Sequence, residues 1–143
     1  MQLSAAKILA VTLISILSLY LTVKPTFATN SDRFMVKINQ FRQSQGLQPI
    51  KPSPITCKFA AIRAKEASSQ FTHDGFYNRV KNYTLPYPKY RLVTENLAWA
   101  PNGKDAVNMW INSPSHTANL LKNTEFACIE KYGDYYAFEG LQV

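Results

Sequence analysis

The stretch Phe126-Ala127-Cys128-Ile129-Glu130-Lys131-Tyr132-Gly133-Asp134-Tyr135-Tyr136-Ala137-Phe138-Glu139-Gly140-Leu141-Gln142-Val143 decides the fold class. Phe126–Lys131 and Tyr135–Val143 are rich in aromatic and β-branched residues. They flank Tyr132-Gly133-Asp134, a tight-turn sequence, so the stretch reads as a β-hairpin. The clearest periodicity upstream is helical. Helices first and strands last predict an α+β fold, with a small, mainly antiparallel sheet covered by helices.

Working back from the hairpin, Ser113-Pro114 caps and opens a short helix through Leu121, since Pro at the first helical position gives up no needed N–H. A helix over Lys104–Asn112 carries Val107, Trp110 and Ile111. Leu92–Ala100 reads as extended and stops at Pro101-Asn102-Gly103. Residues 71–93 hold Pro86, Pro88 and many rings, and read as a long connection with a short helix near Phe76–Val80. Ser53-Pro54 opens a helix to about Gln70. Ile55, Phe59 and Ile62 form its stripe, Cys57, Ala61 and Ala64 a flatter face, and Arg63, Lys65 and Glu66 point to solvent. The first helix runs from Asn30 to Gln45, with Phe34, Ile38 and Phe41 on one face and Gly46 as its stop.

Lys7 is the one charged side chain before an apolar run from Ile8 to Val23. That pattern, with small Thr26 and Ala28, reads as a secretory signal cleaved after Ala28. The alternative is an uncleaved anchor, for which the run is slightly short. Residues 1–28 are therefore assigned to the signal peptide and 29–143 to one domain. No second apolar run is long enough to cross a membrane, and a secreted, periplasmic or cell-surface location is expected.

The chain has 143 residues, with 16 Lys+Arg against 9 Asp+Glu and 46% hydrophobic residues. It is too apolar to be disordered and too short for two ordinary domains. The basic residues are scattered rather than striped, which argues against a nucleic-acid partner. Two histidines exclude a three-His zinc site. Cys57 and Cys128 fall in the exported part, where disulfides persist, and a bond between them is expected. Two separate buried thiols are the alternative.

Three stretches carry groups able to do chemistry: Phe71-Thr72-His73-Asp74-Gly75-Phe76, Thr94-Glu95-Asn96-Leu97-Ala98-Trp99, and Trp110 through Leu121. His73, Glu95 and His116 lie on different elements, and two imidazoles with a carboxylate suit zinc or another divalent metal. Without a metal, Glu95 can hydrogen-bond both histidines. Glu95 has no acidic partner evident in the sequence; Asp74 or Glu139 would meet it only through the fold. No G-x-S-x-G elbow accompanies Ser115-His116, which argues against a serine hydrolase.

These motifs, in order, resemble the CAP superfamily of cysteine-rich secretory, antigen 5 and pathogenesis-related (SCP-like) domains, in its bacterial form. The carrying residues are Ile38–Arg42 with Gly46-Leu47-Gln48-Pro49-Ile50; Ala60, Arg63, Ala64 and Glu66; Phe71-Thr72-His73; Glu95-Asn96-Leu97-Ala98; Trp110 through Leu121; and the terminal hairpin. The resemblance implies an α-β-α sandwich and a shallow cleft where His73, Glu95 and His116 converge, in some members around a divalent metal. Ser113 stands where animal and plant members carry a second acid. Asp74, beside His73, is an expected acceptor for an imidazole N–H or a turn residue with Gly75. Asn96 and Ser113 are expected to support the cleft, Ser113 as a helix cap. Trp99 and Trp110 read as core or cleft wall.

The expected function is a secreted, non-enzymatic interaction module at the cell surface, with a lipid, cell-wall or surface-protein ligand. The alternative is a metal-dependent hydrolase in which Glu95 is a ligand or the general base.

Overall fold

The computed structural model describes residues 30–143; the expected signal peptide 1–28 and the expected cleavage after Ala28 lie outside the described residues. The chain runs through α1 (Asn30–Ser44), α2 (Pro54–Ser69), α3 (Asp74–Lys81), β1 (Leu92–Trp99), α4 (Gly103–Ile111), α5 (Pro114–Leu120), β2 (Phe126–Tyr132) and β3 (Tyr135–Gln142). The α+β class read from the sequence holds.

The three strands form one antiparallel sheet in the order β1-β3-β2. The last strand is thus the central one, and it carries residues to both faces by simple alternation. Tyr136 and Phe138 enter the core built with Trp110, Val107 and Leu120 from α4 and α5 and with Met35 and Ile38 from α1. Ala137 and Leu141 face the other way, toward Ala64, Ala67 and Phe59 of α2. Helices α1, α4 and α5 therefore cover one face, and α2, with α3 beside it, covers the other. Gly133 has φ +57°, the first-position glycine of a two-residue hairpin turn.

α2 starts where Ser53 and Pro54 place it. The Ser53 hydroxyl accepts from the Thr56 N–H at 3.3 Å, and Thr56 Oγ1 accepts from the Ser53 N–H at 3.3 Å, a reciprocal cap. Its buried face differs from the expected one. Thr56, Phe59, Ala60, Arg63, Ala64 and Ala67 are buried, whereas Ile62 is 40% exposed. Arg63, expected in solvent, is 1% exposed. It lies four residues after Phe59, so helical geometry turns it inward, and its charge is met there by carboxylates. Cys57 of α2 is disulfide-bonded to Cys128 of β2, with Cα atoms 4.8 Å apart. A crosslink of this kind contributes about 2–4 kcal/mol.

Arg42 is a second buried cation. Its guanidinium donates to the carbonyls of Gln48 (3.0 Å), Leu120 (2.6 Å) and Lys122 (2.8 Å), tying the end of α1 to the end of α5.

The ring-rich segment divides. Phe76 and Tyr87 are buried, and Tyr87 meets Phe59 edge-on at 5.7 Å. Phe71, Tyr77 and Tyr83 are exposed. Tyr83 follows α3 in the left-handed region, with φ +56°. Its N–H donates to Val80 O (3.3 Å) and that of Thr84 to Arg79 O (2.9 Å), the helix stop usually given to glycine. A side chain there costs about 1–2 kcal/mol. Trp110 is core, with Nε1–H donating to Leu97 O at 2.9 Å, whereas Trp99 is 64% exposed.

Candidate functional site

Glu95 sits in the middle of β1, on the face covered by α2, and is 4% exposed. Arg63 reaches down from α2 to grip it as a fork: Nε donates to Oε2 at 2.6 Å and Nη2 to Oε1 at 3.2 Å. His73, just ahead of α3, lies on the other side, its Nδ1 2.8 Å from Glu95 Oε1. A carboxylate only accepts, so this nitrogen carries the proton. Both oxygens of Glu95 are thereby engaged.

Arg63 is itself over-determined. Nη1 donates to Glu66, and Nη2 donates to the carbonyl of Thr72 at 2.9 Å. Arg79 closes the far side, donating to Glu66 Oε1 at 2.5 Å and to Gly75 O at 2.7 Å, and lies 5.7 Å from the centroid of the Phe59 ring. Gly75 is required by this crowding: a Cβ there would lie 2.1 Å from Arg63 Nη1. Arg79 above all, and Arg63, hold Glu66 below the ordinary carboxylate range against the opposing effect of burial.

The sheet register adds an acid. Glu95 pairs with Glu139 across β1 and β3, and Glu139 pairs with Cys128 across β3 and β2. Glu139 is fully buried. As two carboxylates the pair would lack any donor, and both Glu139 oxygens would be buried without a partner. Burial first, and then the charge of Glu95, push Glu139 well above the ordinary carboxylate value, which favours its neutral form beside Glu95. Burial alone would raise Glu95 too, but His73 and Arg63 together outweigh it and hold Glu95 low. Of the acids considered as partners for Glu95, the fold supplies Glu139. Asp74 begins α3 and its side chain accepts from neither imidazole among the described residues; it borders a cleft.

His116 comes from α5, against the opposite face of the sheet. Its Nδ1 is buried without a partner. Burial first, and then the nearby charge of His73, lower its pKa below the ordinary imidazole value. Asn96 fixes it: the Asn96 amide donates to His116 O at 3.0 Å, while Asn119 Nδ2 donates to Glu95 O and to Asn96 Oδ1, each at 2.9 Å. Asn96 is thus a strand-to-helix clamp. Ser113 occupies the N-cap position of α5, but its hydroxyl does not cap the helix; it lies 3.4 Å from Ser115 Oγ.

Among the described residues, the trio of potential metal ligands gathered within 4.8 Å is Cys57, Cys128 and Glu130, and its two sulfurs are bonded to each other. His73, Glu95 and His116 form no such trio.

Two concavities lie near these elements. A cleft of about 710 Å³ opens between α2 and α3, with Arg63, Glu66 and Arg79 among its lining residues. An apolar groove of about 530 Å³ lies by Ile55, Tyr87, Pro88, Phe126, Leu141 and Val143. No described helix is long and apolar enough to cross a membrane.

Arg63 is the site residue that sequence reading placed in solvent, although its helical spacing from Phe59 pointed inward. Glu139, one of two acids considered for Glu95, is selected over Asp74 only by strand register.

Residues 36–138 match the model of the cysteine-rich secretory protein family, CAP. The search of curated proteins finds no match. Among solved structures, the chain is similar to a cysteine-rich secretory protein of Staphylococcus aureus, with a TM-score of 0.66 and 22% identity over 80% of this chain and 38% of that one. It is also similar to an extracellular SCP-domain protein of Bacillus anthracis, with a TM-score of 0.70 and 21% identity over 80% and 40% of the two chains. An outer surface protein of Borrelia burgdorferi gives a TM-score of 0.64 and 20% identity over 77% and 90%. The chain thus spans about two fifths of the first two, and at these identities the likeness is one of fold. Together with the family match over most of its length, these findings place the chain in the cysteine-rich secretory protein (CAP) family.

Proposed function

We propose that this chain is an extracellular CAP-domain binding module whose Arg63–Glu95–His73 cluster is a hydrogen-bonded scaffold. The carrying observation is the state of Glu95: buried, with both oxygens engaged by Arg63 and His73. A general base must reach its proton directly or through one water. Glu95 is turned instead to its structural partners, and Glu139 behind it is sealed from solvent.

The donor set does not fit a catalytic zinc ion with three protein ligands. The unpartnered Nδ1 of His116 and the ring of His73 offer two imidazole donors. Glu95 is committed elsewhere, and Ser113 stands where other family members carry an acid. The competing reading, a metal-dependent hydrolase on the same residues, therefore has less support than the binding module. The extracellular and surface relatives favour a ligand outside the cytoplasm, among lipids, wall polymers and surface proteins.

The test is the zinc content of purified protein, wild type against His116→Ala. Zinc well below one equivalent in both is expected. Near-stoichiometric zinc that disappears in the variant would favour the hydrolase.

A further inference from the structure

The two buried arginines differ in what meets their charge. Arg63 meets the carboxylates of Glu66 and Glu95. Arg42, 2% exposed, meets no carboxylate among the described residues. Its Nε–H and both Nη1 hydrogens are taken by the carbonyls of Gln48, Leu120 and Lys122. Those oxygens solvate the ion without neutralising it. Burial accordingly lowers the Arg42 pKa, with no acid acting against it.

The Nη2 amino group, with its two N–H donors, is left over. It makes no hydrogen bond among the described residues and is not sealed from solvent. Arg42 lines a pocket of about 570 Å³ between the end of α1 and the start of β2, so this amino group is the part of the ion open to a ligand. Thr124, in the same wall, has a buried hydroxyl with no partner.

We propose that this pocket binds a small organic monoacid, its carboxylate on Arg42 Nη2 and its hydrocarbon body against Leu47, Pro49 and Phe126. The site is separate from the Arg63–Glu95–His73 cluster, and the proposal does not depend on the reading of that cluster.

Charge selects the ligand. Lys51 and Glu125, both exposed, also line the pocket, and neither is ion-paired among the described residues. Their charges offset, which leaves the single positive charge of Arg42. One carboxylate matches it, through a charge-assisted hydrogen bond. A phosphate dianion would bring a second negative charge up to Glu125, and it has no hydrocarbon to cover Leu47, Pro49 and Phe126. A neutral ligand would leave the buried guanidinium uncompensated, the costly state for such an ion.

The experiment titrates ¹⁵N-labelled protein, at constant ionic strength, with hexanoate and benzoate, and with hexanamide, benzamide and inorganic phosphate. At least one acid should give saturable shifts of Arg42 Nε–H and of the Leu47, Asn123 and Glu125 amides. Its uncharged amide should not. Glu125→Gln removes the opposing charge and should tighten binding about two- to fivefold, the range of a surface charge pair. Lys51→Ala should weaken it by a similar factor. Both residues are exposed, so neither result depends on the core. Arg42→Lys should abolish binding, and the two exposed variants decide the case where that protein does not fold. No saturable shift with either acid at about 10 mM, tenfold beyond a Kd of ~1 mM, would overturn the proposal. So would equal shifts with the amides, the same shifts with phosphate alone, or tighter binding in Lys51→Ala. Those results leave the binding-module reading standing, since zinc content tests it separately.

Discussion

Glu139 lies directly across the sheet from Glu95, and the two acids meet beneath α2 as one neutral and one ionised group. Arg63 and His73 complete the Glu95 shell. The cluster therefore holds one buried cation against one buried anion, with the second acid kept neutral. Removing either charge leaves the other uncompensated, which is more costly than the pair's own net contribution.

Arg63→Met should destabilise the fold by about 3–5 kcal/mol, because it strands Glu95 in a dry interior. Arg63→Lys should recover only part of this, since an ammonium cannot reproduce the fork to Glu95 while also reaching Glu66 and Thr72. Urea denaturation of both variants reads the difference. An Arg63→Met loss under about 1 kcal/mol, the range of a surface ion pair, would contradict burial of the charge.

Glu139→Gln replaces a neutral donor by a neutral donor, so a change within about 1 kcal/mol is expected in mild acid. The pH dependence is more telling. The folded-state pKa of Glu139 is raised, so the native state binds more protons above the ordinary carboxylate value. Wild type should therefore lose stability relative to Glu139→Gln as pH rises from about 4.5. Glu95 and Glu66 have the opposite sign, and their contribution is lost as pH falls below the ordinary carboxylate value. A wild type that instead gains on Glu139→Gln with rising pH would show that Glu139 is ionised.

His116 should titrate below the ordinary imidazole value of about 6.5 in an NMR pH series. With its folded pKa depressed, its contribution to stability is present above that value and declines as pH falls. His73→Ala removes the nearby charge, the smaller of the two causes, so the His116 pKa should rise part of the way back. No change in that variant would mean that the two rings do not sense each other.

Gly75→Ala should cost about 1–3 kcal/mol by overpacking, since its methyl would collide with the Arg63 guanidinium. Tyr83→Gly should gain up to about 1 kcal/mol by relieving the left-handed strain. Thermal unfolding of the two variants checks both signs.

Local sequence rules placed most elements to within a residue or two. Ser53-Pro54, Ser113-Pro114 and Gly133 mark boundaries through caps and turns, which depend on near neighbours alone. Cys57 and Cys128 announced their bond through number and compartment. His73 and Glu95 read as partners from sequence, whereas the choice of Glu139 over Asp74 as the acid beside Glu95 did not. Pairing Glu139 with Glu95 requires knowing that the last strand enters between the other two, a tertiary fact that local rules do not carry. Arg63 was misplaced because its charge outweighed its spacing in the reading, whereas in the fold buried carboxylates reverse that preference.

The most direct measurement is the unfolding free energy of wild type and Glu95→Gln, each with and without EDTA. A hydrogen-bonded scaffold is expected to give a variant less stable by about 3–5 kcal/mol, with neither protein changed by the chelator. A wild type that falls to the level of Glu95→Gln on adding EDTA would contradict it, because the cluster would then be held by a metal.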